Sequence, residues 1–421
     1  MGSRQTYAIG ELCSFFKGAS VPRARMLDNG DWKYIHYGDL YKGFDLYIDI
    51  DNPSKPIPYV SSGERAKEDQ FVQSGDIVYV LTSETVEDLG HAFMVRNSGA
   101  CKILAGTETT VMRVEREDIL LPAYLNYMLR IELFKKKLRQ YVTGMKVFRV
   151  HPRDIAKIEI DLPSIEEQTA LVDSMDSIYD KLQLNNRLND YLLELGDALF
   201  AKVLDECEGE IYYRPIDSFC EVKGGKRLPK GSELINVPNE HPYIRVRDLN
   251  GASVLLLTPE MLYVDDETQQ SISRYIVNTG DVIISVVGTI GLTAYIGDTL
   301  NNANLTENCN KLTKFDSDLA SWCYFFLRGT AGAEAVRLGT VGAVQAKLPL
   351  KNIKAIEVPF VPSPAMADTI TRLNVILKTV QANLTEILAL GDLRDALLPK
   401  LMSGEIDVSK VDVTQLNNHL V

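Results

Sequence analysis

The residues of this 421-residue chain best suited to chemistry are clustered cations beside glycines. Lys17, Arg23, Arg25 and Lys33 form the first cluster, and Lys226, Arg227 and Lys230 form a second, followed by Arg245 and Arg247. Lys146, Arg149 and Lys347 lie further along. Residues 130–153 alone hold eight basic residues and one acidic residue. Such donors suit phosphate oxygens, and Arg and Lys also suit base edges. The run Lys135-Lys136-Lys137 fits a solvated helix face equally well.

Catalytic constellations are missing. The chain has no Gly-x-Gly, so no dinucleotide fingerprint. It has no Pro-Pro, which removes an Asn-Pro-Pro-Tyr motif, and no Pro-Asp or Gly-x-Ser-x-Gly. Gly225-Lys226 continues into Arg227 rather than Ser or Thr, so there is no P-loop. The five histidines include no His-x-x-x-His, and the six cysteines include no Cys-x-x-Cys, so free thiols are expected. A chain of this size without such a constellation is expected to bind rather than to catalyse.

The net charge of -12 argues by itself against nucleic acid, but the distribution reverses that reading. Residues 163–210 carry 3 basic and 12 acidic residues, whereas residues 1–162 carry 22 of each and residues 211–358 carry 15 and 16. The two large segments are free to present basic faces. A composition of 45% apolar and 24% charged residues excludes wholesale disorder. No membrane span, export signal or metal site is expected, which makes the cytoplasm the expected compartment.

The elements that must position these cations occur twice. Tyr34-Ile-His-Tyr-Gly-Asp39-Leu40 matches Tyr243-Ile-Arg-Val-Arg-Asp248-Leu249, and Gly75-Asp76 matches Gly280-Asp281 ahead of β-branched runs. Residues 153–164 match 351–363, and Asp197-Ala198-Leu199 matches Asp395-Ala396-Leu397. Four matches in one order, at offsets drifting from 209 to 198, define an internal repeat. Each copy reads as mixed strand and helix. Each closes on a short strand stopped by proline, Ile158–Pro163 and Ile356–Pro359.

After each proline the period changes to that of a long helix. Ser164 with Glu167 forms a capping box. The first apolar seam runs Leu171, Met175, Ile178, Leu182, Asn185, Leu188, Leu192, Leu195, Leu199. The second runs Met366, Ile370, Leu373, Leu377, Val380, Leu384, Ile387, Leu390, Leu393, Leu397. This is heptad spacing over about 50–60 Å at 1.5 Å per residue. The expectation is that the seams pack on each other as a coiled coil, with separate packing on the two domains as the alternative. Asn185 fits either a register-fixing polar position or a solvated edge.

The chain resembles the specificity subunits of type I restriction–modification enzymes. The resemblance rests on the tandem Tyr-Ile-x-x-x-Asp-Leu and Gly-Asp elements, on Leu-Pro-Ser-Ile-Glu-Glu-Gln (162–168), and on Leu-Leu-Pro-Lys-Leu-Met-Ser-Gly-Glu-Ile (397–406). The second long helix opens Ser-Pro-Ala-Met-Ala-Asp (363–368), so the Glu-Gln feature is absent from that copy.

The resemblance implies a mixed α/β (α+β) fold with two pseudo-symmetric target recognition domains, 1–162 and 209–362. They would be separated by two long antiparallel coiled-coil helices, 163–208 and 363–406, with a tail at 407–421. It implies that each domain reads one half of a bipartite, asymmetric double-stranded DNA target. It implies no catalysis and no cofactor in this chain: two methyltransferase subunits would bind S-adenosylmethionine, and restriction/motor subunits would bind ATP and Mg. The DNA-binding candidates are the twelve cations named first, taken from the basic clusters of the sequence. The rival reading is a coiled-coil scaffold or adaptor that binds no DNA.

Overall fold

In the computed structural model, residues 4–408 are described apart from 42, 88, 343, 344 and 363. The tail beyond Val408 and the first residue of the segment 363–406 lie outside the described residues. The chain forms two compact units. One comprises residues 1–181 and 392–421, the other residues 182–391. Both divisions fall inside long helices, Ile165–Glu206 and Ala365–Ser403. Each unit therefore holds one sequence repeat and part of both helices, whereas the expected boundaries lay at the prolines.

The repeats share one topology. In the first unit the strands Cys13–Lys17, Thr109–Val114, Ile77–Val80, Ala92–Arg96 and Tyr47–Asp49 form a five-stranded sheet in that spatial order. In the second, Glu221–Gly224, Cys309–Thr313, Val282–Ser285, Thr293–Ile296 and Val254–Leu255 repeat the order. A smaller sheet in each unit pairs Trp32–Ile35 with Lys102–Ala105, and Pro242–Ile244 with Asn304–Leu305, in parallel. Each repeat is closed by its ends: Gln5–Ala8 pairs Glu159–Leu162, and Tyr212–Pro215 pairs Glu357–Phe360. Pro359 lies within that last strand instead of stopping it. A two-stranded ribbon leaves one edge free, so the missing N–H of proline breaks no ladder bond.

The Gly-Asp element is a turn with a buried carboxylate. Gly75 and Gly280 have φ of +91° and +88°, the left-handed region that glycine enters without strain. Asp76 then accepts from the Gln73 N–H at 2.7 Å, and Asp281 from the Asn278 N–H at 2.9 Å. Both aspartates are buried and face a cation on the neighbouring strand. Arg113 grips Asp76 through two hydrogen bonds, Nε at 2.8 Å and Nη2 at 2.6 Å. Lys311 Nζ stands 4.0 Å from Asp281 and donates to the Ile276 carbonyl. Burial pushes the Asp281 carboxyl up and the Lys311 ammonium down.

In each repeat two short helices follow one another with a single extended residue between them. Pro122–Arg130 is followed by Glu132–Arg139, and Leu319–Arg328 by Thr330–Gly339, with Ile131 and Gly329 extended between them.

The first long helix begins at the expected box: the Glu167 N–H donates to Ser164 Oγ at 3.3 Å, and the Ser164 N–H to Glu167 at 3.4 Å. Within the second unit the two helices run antiparallel, joined by Asn185 to Glu386 at 2.7 Å and Asn383 to Asn189 at 2.8 Å. Asn185 is thus a buried, paired residue and not a solvated edge. Here the expected seam is corrected. It steps from Asn185 to Asn189, which is buried, while Leu188 and Leu195 are 38% and 51% exposed. From there Leu193, Phe200 and Val203 join the core of the second repeat, beside Trp322 and Phe360. Apolar periodicity selected Leu188, but Asn189 accepts a hydrogen bond from the half-buried Asn383, which allows its burial. Leu393 of the second seam is likewise exposed.

Each unit holds the first long helix differently. In the first unit Asp176 accepts from the Tyr47 and Tyr127 hydroxyls and from Arg96 Nη2 at 2.8 Å. In the second unit Gly196 lies so close to helix Leu319–Arg328 that a Cβ would stand 2.3 Å from the Phe325 ring. Arg328 there bonds Asp197 at 2.8 Å.

Candidate nucleic-acid interface

The strand registers bring Lys17 and Arg149 to one end of the large sheet in the first unit, and Lys347 to the matching end in the second. Lys17 pairs with Thr110, and Val80 with Thr109, so the end of the first strand and the end of the third lie together. Thr82 follows at that end and pairs with Arg149. The turn 106–108 joins the two sheets there, because Ala105 pairs with Ile35 and leads directly into it. The second unit repeats the arrangement: Gly224 pairs with Asn310, Cys309 with Ser285, and Val287 with Lys347.

Glycine is required where the cation loops cross this end. A Cβ on Gly18 would stand 1.8 Å from the Gly106 carbonyl oxygen, and one on Gly225 2.0 Å from that of Thr306. The crossing is pinned by matched backbone bonds: Gly18 N–H to Thr109 O at 3.2 Å and Ala19 N–H to Ala105 O at 2.7 Å in one repeat, Gly225 N–H to Cys309 O at 2.9 Å and Lys226 N–H to Leu305 O at 2.8 Å in the other. The tyrosine of each Tyr-Ile element buttresses its loop. Tyr34 Oη donates to the Ala19 carbonyl at 3.0 Å and accepts from the Thr107 N–H at 3.2 Å. Tyr243 Oη donates to the Lys226 carbonyl, also at 3.0 Å.

A second element at this end was not legible in sequence. Thr143 and Arg149 exchange two backbone hydrogen bonds around Gly144, and Val341 and Lys347 do the same around Gly342. Gly144 and Gly342 have φ of +108° and +99°. Its signals were slight: glycines 198 positions apart, Gly144 and Gly342, and basic residues at the same offset, Arg149 and Lys347. Lys146 and Met145 are exposed on the first of these hairpins, Met145 at 94%.

The twelve candidates divide by what already holds them. Lys17, Arg23, Lys146, Arg149, Lys230 and Lys347 are exposed, as is Lys226, which lies 5.4 Å over the Tyr275 ring. Arg247 is 70% exposed. Arg25 pairs with Glu64 at 3.2 Å and Arg227 with Glu307 at 2.7 Å, both still solvent-facing. Lys33 and Arg245 are internal. Lys33 Nζ donates to the Ile50 carbonyl at 2.6 Å, and Arg245 grips Asp248 at 2.9 and 2.7 Å. Of the flanking cations, Arg328 is bonded to Asp197, Arg139 to Glu132 and Arg337 to Glu334, so these serve intrachain pairs.

All six cysteines are free, and burial pushes the Cys13, Cys220 and Cys309 thiols up to about 12. Among the described residues no group of three His, Cys, Asp or Glu side chains is placed to hold a metal. Among them, too, no helix is long and apolar enough to cross a membrane.

Comparison with known families decides between the DNA reading and the scaffold reading. The family model for the type I restriction modification DNA specificity domain matches residues 2–194 and again 209–388. The chain belongs to this family. Its DNA-recognition role follows from that membership, and the scaffold reading is not favoured. A solved S subunit of a type I restriction-modification system from M. genitalium is 15% identical, with 95% of this chain and 96% of that one covered and a TM-score of 0.59. It shares the fold of this specificity protein. The HsdS subunit from Thermoanaerobacter tengcongensis is 18% identical over 96% of this chain and 97% of its own, with a TM-score of 0.35. No curated protein matches the chain.

The Glu-Gln feature of the first helix has an internal role. Gln168 is fully buried, accepts from the Leu121 N–H at 3.0 Å, and donates to the Ile119 and Pro163 carbonyls at 2.8 and 3.1 Å. It completes the backbone bonding of the 119–121 loop. At the matching position of the second helix, Met366 packs into an apolar core instead.

Proposed function

We propose that this specificity protein reads a bipartite, asymmetric double-stranded DNA target, one half-site per repeat. The supporting observation is that a matched sheet end in each unit gathers exposed cations on one frame, yet carries different side chains on it. Identical frames present equivalent surfaces to the duplex, and unlike side chains ask for unlike bases. The reading assigns phosphate and base contacts to Lys17, Arg23, Arg25, Lys146 and Arg149 in the first repeat. It assigns them to Lys226, Arg227, Lys230, Arg247 and Lys347 in the second.

In the same reading the paired helices set the spacing of the half-sites and dock two methyltransferase subunits, with restriction/motor subunits joining the complex. The asparagine pairs between the helices suit the first task, because buried polar pairs fix register. The acidity of the first helix, at 3 basic and 12 acidic residues over 163–210, suits a protein partner better than phosphate. The chain itself would be non-catalytic and cytoplasmic. S-adenosylmethionine, ATP and Mg would be held by its partners, since the chain lacks the sequence fingerprints for them.

Methylome sequencing of cells with and without the gene tests this reading. A bipartite methylated motif that disappears with the gene is the expected result. An unchanged methylome would overturn it.

A further inference from the structure

Two repeats on one frame supply their own control. Tyr34, Ile35, Asp39 and Leu40 recur as Tyr243, Ile244, Asp248 and Leu249, so these residues build the frame. Exposed positions that differ between the copies are the ones able to make two half-sites different. One such difference lies in the turn after the Tyr-Ile strand, where the second repeat has Arg247 and the first has Gly38.

The turn is built to hold Arg247 outward. Asp248, 9% exposed, accepts the Arg245 backbone N–H at 2.8 Å and the Arg245 guanidinium at 2.9 and 2.7 Å. Arg245 is also anchored to the Glu260 carbonyl at 3.1 Å. With Arg245 locked, the Asp248 carboxylate is occupied, and Arg247 Nε approaches it no closer than 3.9 Å. Arg247 projects beside an open concavity of about 440 Å³ that Arg227, Thr306, Glu307 and Asn308 also line. Arg227 there is neutralised by Glu307 at 2.7 Å, which leaves Arg247 as the less committed guanidinium at this site.

We propose that Arg247 reads a guanine of the second half-site through paired hydrogen bonds to O6 and N7. A guanidinium fork matches those two acceptors, and this is the commonest specific contact in the major groove. Phosphates are the same in both half-sites, so a phosphate contact gives no reason for arginine in one repeat and glycine in the other. The proposal rests on the reading that this sheet end faces DNA.

The test is methylome sequencing of cells carrying the whole complex with wild-type protein, Arg247→Ala or Arg247→Lys. Wild type is expected to give a motif with at least one G·C pair in one half. Arg247→Ala is expected to relax that one pair, losing about 5- to 150-fold in discrimination there, with the other half-site unchanged. Arg247→Lys is expected to relax the same pair less, because a lysine keeps the charge but loses the fork. An unchanged motif would overturn the proposal. So would a uniform fall in methylation with no relaxation and a salt dependence of binding shallower by about one unit, the signature of a phosphate contact. Absence of any gene-dependent bipartite motif in wild type would instead overturn the underlying reading.

Discussion

The two repeats place a carboxylate at the same turn and answer it differently. Asp76 meets an arginine with a two-pronged grip, whereas Asp281 meets a lysine at 4.0 Å. Arginine remains charged in any protein environment, but a buried lysine can shed its proton. The first repeat therefore depends on the pair being intact, while the second has a neutral alternative. The frame requires a satisfied turn; how it is satisfied is left open.

Breaking the pair from the carboxylate side should separate the repeats most clearly. Asp76→Ala should cost about 3–5 kcal/mol, the usual loss when a buried pair is left with one charge. Hydrogen exchange should show that loss across Ile77–Val80. Asp281→Ala should cost less at neutral pH, and its deficit should shrink as pH rises. The sign follows from Lys311, whose folded pKa lies below the 10.5 of the free side chain. Between those two values the unfolded chain binds the proton and the folded chain does not, so raising pH favours folding. Asp281 partly raises the Lys311 pKa, so without it that range begins lower and the variant gains more than the wild type. Exchange across Val282–Ser285 at pH 7 and pH 9 checks this. A cost that does not change with pH would contradict the account.

The helix contacts give a second contrast. Gly196→Ala should destabilise the second unit by about 1–3 kcal/mol, because its Cβ meets the Phe325 ring in a packed site. Gly391→Ala lies in open space within the second long helix. It should stabilise by about 0.5–1 kcal/mol through helix propensity alone. Thermal unfolding of the two variants should therefore shift in opposite directions. A shift in the same direction would show that the close approach at Gly196 carries no weight.

Much of this frame was legible in sequence because it rests on short-range rules. Gly75-Asp76 and Gly280-Asp281 announce turns, Ser164 with Glu167 announces a helix start, and the Tyr-Ile elements mark equivalent strands. What was hidden depends on partners far along the chain. Arg328 is held by Asp197, 131 residues earlier in the chain. Lys33 is held by a backbone carbonyl that no side-chain pattern reveals. The helix seam misled at Leu188 because burial of Asn189 depends on Asn383, almost two hundred residues away. The paired ends Thr143/Arg149 and Val341/Lys347 share only a glycine and a basic residue, since their match is one of backbone bonding.

The central claim is that each repeat carries its own half of the specificity. Its most direct test replaces residues 1–160 with the matching segment of a relative and reads the methylated motif produced by the whole complex. The account predicts that one half-site changes while the other keeps its bases. A motif in which both halves change together, or in which neither changes, would contradict it.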